Sequence, residues 1–429
     1  MRLCLPVVLL LAVPPLGLAE GGEVAIRCGA LLDGVHWTAV QNAVILVDGT
    51  RIKAVGPSIA IPKDARVIDL GGATVLPGLI DAHTHVLLQG DVTAEDYDPQ
   101  LLKESIPFRA IRATAAARTA LLSGFTTIRD LETEGAMYAD ADLKRAIALG
   151  YVPGPRMFVA TRAMAPTGMY PLLGYSWELK VPEGVEIVDG PEAIVKAVRE
   201  QVKYGADWIK YYSDHGYYMK DDVLHSHVNF TDPEAKALVE EAHRLGRKVA
   251  AHAMGWDGID AALRAGVDSI EHGWGLDEAQ MGTLISRGVY WCPTLFVGTY
   301  VAEGRSAAGA PIWTAMLRVA EKAFRRGVAK GVPIVFGTDA GGFPWSVPQS
   351  REFGVMVKWG MTPAQALQAA TSCAAKLLGL SGELGTLETG RAADLIAVRG
   401  DPLKDVGELD HVGFVMKDGA VYRNDLTPH

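Results

Sequence analysis

Cysteine is scarce in this chain: four among 429 residues, at positions 4, 28, 292 and 373. Cys4 falls in the N-terminal apolar run. The other three, Cys28, Cys292 and Cys373, make neither a disulfide framework nor a Cys-rich metal motif and read as small buried apolar residues, although an exported chain could pair two of them. Aromatic residues are only 7% of the chain, and no low-complexity tract interrupts it. Basic clusters are absent and the net charge is −9, which argues against nucleic acid or another polyanion as partner. Long apolar runs are missing too, except at the start. There "MRLCLPVVLLLAVPPLGLAEGGEV" places Arg2 before an apolar run and a small-residue end, Gly17-Leu18-Ala19. That is the layout of a secretory signal over residues 1–19. Pro14 and Pro15 break the run, which is shorter than the ~20 residues a span needs. The expectation is an exported chain, periplasmic or secreted, with no membrane attachment after cleavage at Ala19.

What is present is a soluble globular composition, 49% hydrophobic and 21% charged. Residues 20–76 read as short strands with Asp-Gly turns, as in "AVILVDGTRIKAVG". A similar texture returns at 384–429 in "HVGFVMKDGAVY", so both ends are expected to build one small β-sandwich domain. Between them, 77–383 alternates short β-branched runs with amphipathic stretches, the rhythm of βα units around a parallel sheet. Eight strand candidates are readable: "LPGLIDAH", "FTTIRD", "RMFVAT", "DWIKYY", "KVAAHA", "SIEHG", "YWCPT" and "PIVFGTD". Helices are expected over 191–205, 232–246 and 314–331, each closed by a glycine. Eight units within one segment point to an α/β fold with a (β/α)8 TIM barrel. A doubly wound sheet is disfavoured because no Gly-rich phosphate fingerprint follows the first strand.

In such a barrel the chemistry sits where strands end. Those positions hold His83 and His85 after the first strand, Lys210 after the fourth, His252 after the fifth, His272 after the sixth and Asp339 after the eighth. A lone strand-end histidine is more often structural than a ligand. Four on one barrel face, out of eleven in the chain, change that balance. Neutral imidazoles with a carboxylate suit zinc and its neighbours, and an incomplete shell is the catalytic pattern. Lys210 lies in an apolar context, "DWIKYY". A neutral amine there can add carbon dioxide, giving a carbamate able to bridge two ions.

With these residues in place the chain resembles the metal-dependent amidohydrolase superfamily, in its imidazolonepropionase-related branch, which includes Xaa-Pro dipeptidases and ochratoxin-hydrolysing amidases. The resemblance rests on "VIDLGGATVLPGLIDAHTH", "GFTTIRD", "WIK", "AHA", "SIEHG", "GTDAG" and "LGTLETGRAADLIAVRGDPL", which occur in order along the mature length. It implies that His83, His85 and Asp339 hold one divalent ion and that His252 and His272 hold a second. It also implies that carboxylated Lys210 lies between them, with zinc the expected metal. A hydroxide shared by the ions would attack the substrate carbonyl. Asp339 would take its proton and pass it to the leaving nitrogen. Relatives often form rings or dimers, so a homo-oligomer is expected.

Substrate contacts are expected from the segment 211–230, "YYSDHGYYMKDDVLHSHVNF", read as a polar loop walling the pocket. Tyr217 and Tyr218 are candidate oxyanion donors, and His225 and His227 lid or substrate contacts. Arg162, after the third strand, is a candidate clamp for a substrate carboxylate. Three functions remain open at this point. One is hydrolysis of a small-molecule amide: a dipeptide, as in Xaa-Pro dipeptidases and carboxypeptidases, or an N-acyl amino acid such as ochratoxin A. The second is a cyclic amide or lactone hydrolase, or an aminohydrolase, with the same metals. The third is a non-catalytic binding protein, which the intact ligand set disfavours.

Overall fold

The computed structural model describes residues 22–426 except 170, 171, 173 and 174. The expected signal segment therefore lies outside the described residues. Leu79–Thr84, the first barrel strand, pairs in parallel with Phe125–Asp130, and that strand with Arg156–Val159. A second parallel arc runs Met164–Ala165, Trp208–Tyr212, Lys248–Ala253, Ser269–His272 and Tyr290–Cys292. Asp207 N donates to Val159 O at 2.8 Å and links the arcs on one side. On the other side, segment 333–340 lies between them. Val335 N donates to Trp291 O at 2.9 Å, Ala82 N to Phe336 O at 3.0 Å and Asp339 N to His83 O at 2.7 Å. The architecture is a TIM-barrel-like α/β fold.

Seven of the eight expected strands are regular strands, and the eighth is not. Its segment makes isolated bridges at Ile334 and Ala340 only. Pro333 brings no N–H to the ladder, and Asp339 adopts a left-handed φ of 61°. The inner strands Leu79–Thr84, Phe125–Asp130 and Trp208–Tyr212 are buried along their whole length. Helices on the outside and the barrel interior cover these strands on both sides, so even their polar members, such as Asp81, Thr127, Arg129 and Lys210, are buried.

The expected helices are found at Pro191–Lys203, Asp232–Arg244 and Ile312–Lys330. Glycines 205, 246 and 331 follow in left-handed conformation, as a helix stop requires. Asp232–Arg244 starts from a capping box of Thr231 with Glu234, read directly from "TDPE". Among the described residues no helix is long and apolar enough to cross a membrane. Cys28, Cys292 and Cys373 are free, and the first two are buried.

Both ends of the described chain meet in one mixed, eight-stranded sheet. Glu23–Leu31 runs parallel to Arg66–Pro77, which pairs antiparallel with Leu395–Val398. Ile26, Ile45, Ile68, Val75, Leu395 and Phe414 share its core. Only Gly78 separates Arg66–Pro77 from the first barrel strand. A Cβ at Gly78 would lie 2.3 Å from Thr126 Oγ1, so glycine is required where the sheet passes into the barrel. The terminal sheet thereby anchors the strand that carries His83 and His85.

Candidate active site

His83 and His85 lie two residues apart where an extended strand ends, so both imidazoles leave on one side. Their Nε2 atoms are 3.3 Å apart. Asp339 Oδ1 lies 3.0 Å from His85 Nε2 and 3.5 Å from His83 Nε2. The "GTDAG" glycines make this approach possible. A Cβ on Gly337 would meet Cys292 Sγ at 2.2 Å and His83 Cβ at 2.9 Å, and one on Gly341 would meet His85 O at 2.4 Å. Asp339 and His272 both take left-handed φ, 61° and 68°. Each turns the chain sharply off the sheet, a strain that persists where surrounding structure enforces it.

The other imidazoles complete the cluster. Ring centroids of His252 and His272 are 4.5 Å apart, and those of His83 and His272 5.1 Å. Lys210 is 1% exposed, with Nζ 5.3 Å from the centre of the Tyr212 ring. All six expected ligands line one cavity of about 870 Å³.

A second layer fixes these rings. Glu271 Oε2 accepts from His83 Nδ1 at 2.8 Å, and Arg129 Nη2 donates to Glu271 Oε1 at 2.9 Å. Arg129 Nε donates to Ala82 O at 2.6 Å, and its guanidinium stacks 4.4 Å from the Trp208 ring centre. Thr294 Oγ1 holds His272 Nδ1 at 2.7 Å, and the Tyr217 hydroxyl is 2.7 Å from His252 Nε2. One nitrogen of each ring is engaged and the other is left to coordinate, the arrangement that sets tautomers in metal sites.

Burial pushes His83 down to about 4, against the pull of Asp339. Burial and neighbouring cations hold His252 and His272 well below the ordinary histidine range. These three rings are therefore neutral, the form that binds metal. His85 goes the other way. Burial lowers it, but the hydrogen bond and charge of Asp339 outweigh burial and raise it to about 9. Asp339 is brought down to about 2 because His83 and His85 outweigh its own burial. A half-buried carboxylate, Asp339, among converging imidazoles is a donor set that fits divalent cations. His83, His85 and Asp339 place their donor atoms within 4.8 Å of one another.

The expected substrate contacts separate. Segment 211–230 is a β-hairpin, Asp214–Lys220 with Val223–Val228, not a polar loop. Asp221 and Asp222, at φ 50° and 61°, form its tip. "VLHSHV" was legible as alternation, but its polar content masked it. Of the residues named, Tyr217 lines the cavity, as does His215. Tyr218 is on the opposite face, stacked 5.5 Å from His225. His225 Nδ1 donates to Asp257 Oδ2 at 2.8 Å, and the His227 ring is 5.6 Å from that of His215. Arg162 Nη1 is 3.4 Å from Glu186 Oε1. Tyr218, His225, His227 and Arg162 are not part of the cavity wall. The wall instead includes Tyr97, Glu134, Trp274, Arg305 and Trp313, which came from loops and outer helices with no motif to mark them.

The model of the amidohydrolase family matches residues 74–423, and the chain belongs to that family. Ochratoxinase of Aspergillus niger is 30% identical over 97% of this chain and 91% of its own. Imidazolonepropionase of Deinococcus radiodurans is 27% identical over 88% of this chain and 90% of its own. Among solved structures, a Xaa-Pro dipeptidase with methionine bound in its active site superposes with a TM-score of 0.84. It is 35% identical, over 94% of this chain and all of that one. The chain is thus a hydrolytic enzyme of the amidohydrolase superfamily.

Proposed function

We propose that this enzyme is a two-metal hydrolase cleaving the amide bond of a dipeptide or N-acyl amino acid, a class that includes Xaa-Pro peptides and ochratoxin A. The observation that carries the reading is the convergence of His83, His85, Lys210, His252, His272 and Asp339 on one cavity of about 870 Å³. That volume suits a small molecule rather than a polypeptide. Likeness to a Xaa-Pro dipeptidase and to ochratoxinase supports the amide-bond chemistry.

His83, His85 and Asp339 would hold one ion and His252 and His272 the other, with Lys210, carboxylated by carbon dioxide, shared between them. Bound divalent ions, zinc foremost, supply Lewis acidity toward the carbonyl and an activated water at neutral pH. Asp339 accepts the proton of the attacking water and returns it to the leaving nitrogen. Tyr217, held by His252, donates to the carbonyl oxygen as charge builds there. Trp274 and Trp313, 5.9 Å apart edge to face, offer an apolar wall to the substrate side chain. The same reading takes the barrel as a closed (β/α)8 unit over 77–383 beside a small sandwich built from both termini. It takes the chain as exported and self-associating.

The test is a panel of dipeptides with varied C-terminal residues and of N-acyl amino acids, assayed on metal-reconstituted protein. Turnover of that class supports the reading. Turnover confined to cyclic amides, lactones or amino groups on rings would replace it.

A further inference from the structure

Asp339 sits in a strained turn of a segment that is no regular strand. Segment 333–340 bridges its neighbours only at Ile334 and Ala340, and Asp339 itself is left-handed at φ 61°. A residue with a Cβ avoids that conformation unless its surroundings impose it. Backbone bonds to the first barrel strand fix where the segment lies. Asp339 N donates to His83 O and His85 N to Ala340 O, both at 2.7 Å. One side chain spans the turn itself.

That side chain is Thr338. Its hydroxyl donates to Asp81 Oδ2 at 2.6 Å and accepts from Ala340 N at 3.1 Å, so its bonds reach across Asp339. A hydroxyl has a single hydrogen and a carboxylate only accepts. With the hydrogen spent on Asp81, the lone pairs of the hydroxyl are left for the Ala340 N–H. Asp81 is itself held by further donors: Thr338 N at 3.0 Å, His83 N at 3.1 Å and Gln349 Nε2 at 2.6 Å. Four donors match what two carboxylate oxygens can accept. Asp81 and Thr338 are both 0% exposed, and neither is part of the cavity wall. One buried carboxylate thereby ties the backbone of His83 to the residues on either side of Asp339.

We infer that Thr338, oriented by Asp81, is a positioning residue that holds the Asp339 turn and so aims its carboxylate at His83, His85 and the attacking water. The inference rests on the reading of Asp339 as ligand and proton carrier, and it names what aims that group. Thr338→Val keeps the branched shape and removes the hydroxyl. It leaves the buried Ala340 N–H without its acceptor and Asp81 Oδ2 with Gln349 alone. Thr338→Ser keeps the hydroxyl and loses the methyl, so the two variants separate bonding from packing.

The experiment compares wild type, Thr338→Val and Thr338→Ser at saturating zinc, on whichever substrate of the panel the enzyme turns over. Metal content and melting temperature are measured alongside. We expect kcat of Thr338→Val to fall about 10- to 100-fold with KM within about threefold, because aim governs proton transfer rather than binding. Thr338→Ser should keep kcat within about threefold of wild type. Asp81→Asn, which exchanges one acceptor oxygen for a donor, should lower kcat in the same way, and it carries the test if Thr338→Val does not fold. Wild-type kcat in Thr338→Val, or in Asp81→Asn where it stands in, overturns the inference. So does an equal fall in Thr338→Ser, which makes the packing of the methyl decisive. A fall matched by lost metal alone overturns it too. Turnover confined to lactones or cyclic amides replaces the amide-hydrolase reading and leaves these comparisons intact. Should nothing be turned over, the visible spectrum of cobalt-substituted protein decides, since it reports ligand geometry. Bands altered in Thr338→Val and restored in Thr338→Ser uphold the positioning role. Identical bands, or no cobalt bound, overturn it.

Discussion

Lys210 is enclosed at the base of the cavity, with the Tyr212 ring beside its amine. If its carbamate is shared between two ions, Lys210→Ala should cut kcat/KM by ~10³-fold or more, the scale of losing a metal bridge. Short carboxylic acids added to that variant should restore part of the activity by standing in for the carbamate oxygens. Full activity without them would remove the carbamate from the account. Tyr217 allows a finer test. Tyr217→Phe keeps the ring on the wall and deletes the hydroxyl that His252 holds. Its kcat should drop ~10- to 100-fold with KM little changed, as for loss of an oxyanion donor. A change in KM alone would make it a binding residue only. Glutamate 271 teaches a related lesson. It stood in plain sight within "SIEHG", yet its partners are His83 and Arg129 from two other strands. No local pattern announces a contact across 188 positions.

At the scale of elements, strand ends and glycines were readable while the eighth strand and the hairpin were not. Ligand residues were legible because each follows an apolar run that barrel geometry turns into a strand end. The final run, "PIVFGTDAG", looked like another strand. Pro333 and the left-handed Asp339 leave it as a bridging segment instead. Gly341→Ala tests the close approach there. With φ at 112° and His85 O only 2.4 Å from the added Cβ, it should destabilise by ~1–3 kcal/mol and lower metal occupancy. Thermal melting and elemental analysis read both effects. Unchanged values would mean that the segment yields freely.

Helix Leu295–Ala307 begins on a buried carboxylate. Glu352 accepts from Leu295 N at 2.9 Å and Phe296 N at 2.6 Å. Burial outweighs those bonds and raises its carboxyl to about 8. A folded value above the unfolded one gives stability that is present at low pH and is lost as pH rises through about 8. The melting temperature of Glu352→Gln, which keeps an acceptor without the charge, should therefore fall less than wild type between pH 6 and 9. Parallel curves would assign the pH dependence elsewhere.

Across the whole molecule, the terminal sheet, the barrel and the cavity form one chain of support. Arg66–Pro77 runs through Gly78 into the strand of His83 and His85, so the sheet built from both ends holds the ligand pair. Segments far apart in sequence were expected to meet because their textures matched, and they do. Cavity walls were less legible. Trp313 and Arg305 sit on outer helices whose amphipathic pattern records only the face turned to the barrel. Arg162 follows a strand as a clamp should, but Glu186 lies within 3.4 Å of it away from the cavity. Metal bound to the folded state alone stabilises it, so exhaustive chelation should lower the melting temperature by several degrees and abolish turnover, with zinc restoring both.

The most direct test of the central claim is a metal titration of fully stripped protein, following amide hydrolysis and bound metal together. The account predicts activity that climbs to a plateau at about two divalent ions per chain, as a two-metal site requires. Full activity at one ion, or in metal-free protein, would contradict it.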